Sequence, residues 1–88
     1  MTESFWNRQV KRWRYRRGRM HEVQAELVRL QGGCCAICRR RRRLVVDHNH
    51  ATQWVRGALC SPCNMVIGLL GDSEHVILDL YAYIHLHK

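Results

Sequence analysis

The chain has 88 residues and a formal net charge of +8 at pH 7, from fifteen Lys or Arg against seven Asp or Glu. That length allows one small domain with a thin core, which calls for a staple if it is to be stable. The longest apolar stretch, Met65 to Leu70, is broken by Gly68 and too short to cross a bilayer; no N-terminal apolar run has signal-peptide length, so membrane-spanning and secretory roles are set aside.

Residues 1–20 read as a basic arm that contacts a polyanion. Seven basic residues fall between Arg8 and Arg19, with Trp6, Trp13 and Tyr15 interleaved. Phe5, Trp6, Val10 and Trp13 have rough helical spacing, so part of the arm is expected to be helical, with a break at Gly18. Residues 21–31 read as an amphipathic helix with Val23, Leu27 and Leu30 on one face, ended by Gly32-Gly33. Cys34 to Arg43 reads as a turn carrying a thiol pair, then a loop of five arginines. Leu44-Val45-Val46 reads as a short strand and Val55 to Leu59 as its return, with residues 50–54 between them. Pro62 suits the first turn of a helix running through Asn64 to about Leu70 and stopping at Gly71. Asp72 or Ser73 can cap a final helix whose apolar stripe is Ile77, Leu80, Tyr81 and Ile84. Residues 21–88 thus form one domain: a small α+β unit, a β-hairpin followed by a helix, with metal joining the loop before the hairpin to the start of that helix and flanking helices covering the rest.

Cys35-Ala-Ile-Cys38 and Cys60-Ser-Pro-Cys63 are two Cys-x-x-Cys pairs, the spacing of a tetrahedral structural zinc site. Without a secretory signal, metal ligation is the better reading than disulfides. The spacing also admits His50 as a fourth zinc ligand, with one cysteine left free. Between the pairs lies Asp47-His48-Asn49-His50, and Asn64 follows Cys63 directly. An isolated Asp-His pair is usually a surface pair, and an Asn after such a thiol pair is often a helix cap. The combination offers more. His48 titrates near neutrality and suits a general base for water. Asp47 and Asn64 present hard oxygens suited to Mg²⁺ or Mn²⁺. Neighbouring strand residues point to opposite sides, so Asp47 and His48 share a site only if the strand ends or bulges between them, and such an irregularity is expected.

The density of Arg12, Arg14, Arg16 and Arg17 in the arm, of Arg39, Arg40, Arg41, Arg42 and Arg43 in the loop, and of Arg56 in the return strand points to nucleic acid, since Arg forks match phosphate geometry. An anionic membrane surface and an acidic protein are the weaker readings.

Gly33-Cys34-Cys35-Ala36-Ile37-Cys38, Leu44 to Thr52, Val55-Arg56-Gly57-Ala58-Leu59-Cys60 and Cys63-Asn64 together resemble the recombination endonuclease VII family of HNH (ββα-metal) nucleases, common in bacteriophages. The resemblance covers residues 32–72. It implies a structural zinc on Cys35, Cys38, Cys60 and Cys63, His48 as general base, Asp47 and Asn64 on a catalytic Mg²⁺ or Mn²⁺, and His50 touching phosphate or metal. It further implies DNA as substrate, no small-molecule cofactor, products with 5′-phosphate and 3′-hydroxyl ends, and a host-cell cytoplasmic location. Three departures bear on this. Gln53 stands where family members often carry Gly, Cys34 precedes the usual thiol, and the long C-terminal region through which larger relatives dimerise and grip junctions is missing. A monomer that nicks or cuts duplex DNA is therefore expected rather than an intertwined junction resolvase. The rival reading is a non-catalytic, zinc-ribbon-like DNA-binding module in which Asp47 and His48 are incidental.

Overall fold

The computed structural model describes residues 13–87. Its elements are helix α1 (His21–Leu30), strands β1 (Leu44–His48) and β2 (Val55–Cys60), and helices α2 (Ser61–Leu69) and α3 (Glu74–Leu86). The small α+β architecture expected from the sequence is present. Among the described residues no helix is long and apolar enough to cross a membrane.

The hairpin organises the molecule. β1 and β2 pair antiparallel, with Leu44 opposite Cys60 and Asp47 opposite Gly57, and the register then slips so that His48 faces Val55. The backbone of the arm joins the far side of this ladder. The Val55 N–H donates to the Trp13 carbonyl at 2.8 Å, and the Tyr15 N–H donates to the Gln53 carbonyl at 2.7 Å. Residues 13–15 are thus a short extended segment on the sheet, so Trp13 does not lie on the helix its spacing suggests; Phe5, Trp6 and Val10 of that stripe, and Arg12, lie outside the described residues.

α1 and α2 both pack on the hairpin. The core is thin, as the length requires: Leu27, Cys35, Leu44, Val55, Ala58, Leu59 and Cys60 are buried, with Trp13, Tyr15, Met20, Val23, Ile67 and others partly buried around them. Leu27 is the one fully buried residue of α1, on the face read from the sequence. Gly32 and Gly33, both at positive φ (64° and 77°), end the helix as glycine readily does.

Two side chains tie α1 to the hairpin. Gln24 Nε2 donates to the Leu44 carbonyl at 2.7 Å. Gln31 Nε2 donates to the carbonyls of Cys34 and Ala58, while its Oε1 accepts from the Ala58 N–H at 2.8 Å. One amide therefore satisfies strand and turn groups that burial would otherwise leave unpaired.

The final helix departs from expectation. Ser73 caps it as the sequence suggests, its side chain accepting from the Val76 N–H at 3.2 Å. The stripe of Ile77, Leu80, Tyr81 and Ile84, however, is exposed, and among the described residues α3 packs on no other helix or strand. The flanking helix forms from its own periodicity and cap, but among the described residues it covers no other element.

Candidate active site

The four paired cysteines converge. Cys35 and Cys38 lie on the turn after α1, and the Arg39 N–H closes that turn on the Cys35 carbonyl at 3.0 Å, with Arg39 itself at φ 65°. The Ala36 N–H donates to the Ala58 carbonyl and docks the turn on β2. Cys60 ends β2, and Cys63 follows within the first turn of α2, whose start carries Pro62. All four sulfurs lie within 4.8 Å of one another, and Cys38 Sγ is 3.7 Å from Cys60 Sγ. Tetrahedral zinc with bonds of about 2.3 Å separates its sulfurs by about 3.8 Å, so the donor set fits that ion and could hold it. Burial pushes the Cys63 thiol up to about 12, and neighbouring thiols push the same way. Burial also acts to raise Cys35, but N–H groups of Cys60, Cys38 and Ile37 directed at its sulfur bring it down to about 6. Cys34 and His50 are not in this cluster. The Cys34 thiol instead faces the Gly32 carbonyl at 3.6 Å, and His50 pairs elsewhere.

The expected irregularity at the end of β1 is present, between Asp47 and His48. Arg56 is the extra residue of β2 at that slip, and its side chain turns inward. Its Nε donates to Asp47 Oδ2 at 2.8 Å and its Nη2 to Asp47 Oδ1 at 3.1 Å, a bidentate fork; Nη2 also donates to Asp72 Oδ1 at 3.0 Å. Asp72 Oδ2 faces His50 Nδ1 at 2.7 Å. A continuous chain Asp47–Arg56–Asp72–His50 therefore spans the hairpin end and the α2–α3 turn. Asp47 is 6% exposed, and the fork supplies the partner a buried carboxylate requires. The hydrogen bond from His50, then that from Arg56, hold the Asp72 carboxyl below its ordinary range.

His48 lies between two rings. Tyr15 stacks on it with centroids 3.8 Å apart, and His50 meets it edge-on at 4.6 Å. Burial first, then the neighbouring His50, lower its pKa below 6.5. That shift favours the neutral imidazole, the form that can accept a proton.

The hairpin loop shows how the chain manages without the expected glycine. Gln53 takes a left-handed φ of 69°. Asn49 Oδ1 accepts from the N–H groups of Ala51 and Thr52, Gln53 Nε2 donates to the His50 carbonyl, and the Asn49 N–H donates to the Trp54 carbonyl. These bonds hold the strained turn that delivers His50.

Asn64 sits inside the first turn of α2, exposed; the N-cap is Cys60, so Asn64 is not a cap. Among the described residues its side chain has no hydrogen-bond partner. Arg14, Arg16, Arg17 and Arg39 to Arg43 are all exposed, and the Arg14 guanidinium lies over the Trp54 ring at 5.3 Å. Among the described arginines that composition assigns to DNA, Arg56 is the exception, being held by two carboxylates.

A family model described as recombination endonuclease VII matches residues 8–86. The chain belongs to that family. Among curated relatives, the "Gene 59 protein" of Mycobacterium phage D29 is 56% identical over 41 residues, and that of Mycobacterium phage L5 is 49% identical over 43. These matches cover 42% and 44% of this chain but 25% and 26% of the relatives, so the matched part spans about a quarter of their length. No solved structure matches the chain. The endonuclease VII assignment agrees with the hairpin-then-helix order and the clustered thiols, and points to a nuclease.

Three residues at the site carry other readings in the sequence. There Tyr15 belongs to the arm, Asp72 is a helix cap, and Arg56 is a DNA contact. The pairing of residues 13–15 with the hairpin, the register slip and the turn after α2 bring them together, and none of these leaves a spacing signal in the chain.

Proposed function

We propose that this chain is a metal-dependent DNA endonuclease of the HNH type, hydrolysing phosphodiesters to 5′-phosphate and 3′-hydroxyl ends. The observation that supports the reading is the cluster at the hairpin end, where Asp47 is linked through Arg56 and Asp72 to His50, whose ring meets that of His48 at 4.6 Å. His48 takes a proton from the attacking water, and the resulting hydroxide displaces the 3′ oxygen at phosphorus. Asp47 and Asn64 are the hard oxygen donors that would hold Mg²⁺ or Mn²⁺; that ion, when bound, neutralises charge developing on the phosphate and the leaving alkoxide. His50, whose Nδ1 faces Asp72, would use its other ring nitrogen on phosphate or metal. The zinc held by Cys35, Cys38, Cys60 and Cys63 is structural, because four thiolates leave it no open position for water. The exposed arginines supply phosphate affinity without naming a base.

A plasmid-nicking assay tests the reading. Mg²⁺ or Mn²⁺ should support conversion of supercoiled to open or linear DNA, and EDTA should stop it. DNA binding without cleavage under every metal condition would favour the non-catalytic, zinc-ribbon-like DNA-binding module.

A further inference from the structure

We propose that Arg56 is a stand-in cation for the divalent metal: its guanidinium neutralises Asp47 while the metal is away and gives up that carboxylate, retained by Asp72, when the metal binds. The inference rests on Asp47 being a metal ligand, as proposed above, and concerns how that site is regulated.

Three observations support it. Asp47 is buried, and a carboxylate placed there requires a cationic partner. The Arg56 fork spans both of its oxygens, at 2.8 and 3.1 Å, so a dication sharing the carboxylate would stand a few ångström from a full positive charge. Arg56 already holds a second seat, since the nitrogen bonded to Asp47 Oδ1 also donates to Asp72 Oδ1 at 3.0 Å. Release from Asp47 therefore leaves the guanidinium paired, and the motion is a pivot about an existing bond. The position of Arg56 in the chain makes the pivot feasible. As the extra residue at the register slip it lies outside the regular pairing of the ladder.

The consequence is a site closed to weak or stray cations and opened by a cation that binds strongly enough to displace an internal one. Binding of Mn²⁺ to the zinc-loaded full chain, followed by calorimetry and by loss of the free Mn²⁺ electron-spin signal, tests this without any activity readout. Arg56→Gln should tighten Mn²⁺ binding by about tenfold, the equivalent of ~1.4 kcal/mol of removed competition. Arg29→Gln, which removes the same charge from the exposed face of α1, should change it less than about twofold. Asp72→Asn should weaken binding in the native background, because Arg56 loses its second seat, and should have little effect once Arg56 is Gln. Unchanged or weaker Mn²⁺ binding by Arg56→Gln overturns the proposal and makes Arg56 a support that holds Asp47 in place. An equal Asp72→Asn loss in both backgrounds removes Asp72 from the device.

Should Arg56→Gln fail to fold, the native protein decides. The Arg56 Nε–H resonance should shift as Mg²⁺ saturates the amide shifts of Asp47 and Asn64. Saturation at those amides with Arg56 Nε–H unmoved refutes the exchange. If Asp47→Asn binds Mn²⁺ as well as the native chain, the metal assignment itself is wrong and the stand-in falls with it.

Discussion

Tyr15 lies flat on His48, the ring centroids 3.8 Å apart and the planes 10° from parallel. The stack joins a residue of the basic arm to the expected base, and the Tyr15 N–H anchors it by donating to the Gln53 carbonyl at 2.7 Å. A base acts on water only from one orientation, and small misplacements reduce rate steeply. In the proposed reading the arm is therefore part of the site's wall as well as a store of charge.

Tyr15→Ala should accordingly lower the nicking rate at saturating DNA and metal by about tenfold or more, while Tyr15→Phe, which keeps the ring, stays within about twofold of native. The folded state should retain zinc in both. A Tyr15→Ala protein that nicks at the native rate would show the stack to be incidental.

His48→Ala should lower the rate by about 10²- to 10⁴-fold and leave DNA affinity unchanged, because a general base acts in the transition state and not in docking. In the folded metal-free chain burial holds the His48 pKa below 6.5. The neutral imidazole is favoured by folding, so its contribution to stability is complete above pH 6.5 and fades as pH falls through the lower, folded value. The acid limb of the rate profile should likewise lie below pH 6.5, and a limb above it would remove His48 from the base role.

Much of this is legible in the chain because it rests on local chemistry. Paired thiols at fixed spacing, Gly32-Gly33 after an amphipathic run, Pro62 in the first turn of a helix and Ser73 before another are signals carried within a few residues. The pairing of Arg56 with Asp47 and Asp72 is not legible, since it depends on a one-residue slip and on a turn 16 residues downstream. The arginine-rich composition assigns Arg56 to DNA along with the arginines of the arm and the loop, whereas its place beside two carboxylates gives it an internal role. The exposure of α3 is hidden for the opposite reason. Periodicity reports that a helix has an apolar face, not that anything meets it.

One zinc per chain is expected on metal analysis. With so few buried side chains, its binding contributes folding free energy directly, on the order of 10 kcal/mol for structural zinc at neutral pH. Cys35→Ser should lose the zinc and unfold, whereas Cys34→Ser, whose thiol stands outside the cluster, should keep both zinc and melting temperature. Brief EDTA treatment should stop cleavage, and Mg²⁺ or Mn²⁺ without added zinc should restore it; recovery with zinc alone would make zinc the catalytic ion.

Gln53→Gly offers a stability test of the hairpin loop. Left-handed backbone costs a side-chain-bearing residue roughly 1 kcal/mol, and Gln53 sits at φ 69°. Glycine removes that strain but frees the unfolded chain and loses the Gln53 bond to the His50 carbonyl. The expected net gain is about 0.5 kcal/mol by thermal or denaturant unfolding, with nicking within about twofold of native. A loss above about 1 kcal/mol would mean that the side-chain bond, and not the backbone, decides this turn.

The arm's charge and its packing can be separated by where it is cut. Residues 2–12 carry Arg8, Lys11 and Arg12, whereas Trp13 and Tyr15 pair with the hairpin and pack on the core. Removing one bound phosphate from the interface flattens the dependence of log affinity on log salt by about 0.9 on duplex DNA. Deleting residues 2–12 should therefore weaken DNA binding alike across sequences and reduce the salt slope by up to about three, with zinc content and circular dichroism unchanged. Deleting residues 2–17 takes away the packing of Trp13 and Tyr15 as well and should lower the melting temperature by about 10 °C or more, since a few kcal/mol shifts a domain of this size that far. Arg14→Ala, Arg16→Ala and Arg17→Ala combined, in the full-length chain, should reproduce the fall in affinity without the fall in stability, because those side chains are exposed. A folded, zinc-loaded protein lacking residues 2–12 with unchanged affinity and salt slope would show that those residues do not touch DNA; an unchanged slope in the triple variant as well would take the arm out of the DNA interface and leave phosphate affinity to Arg39 through Arg43.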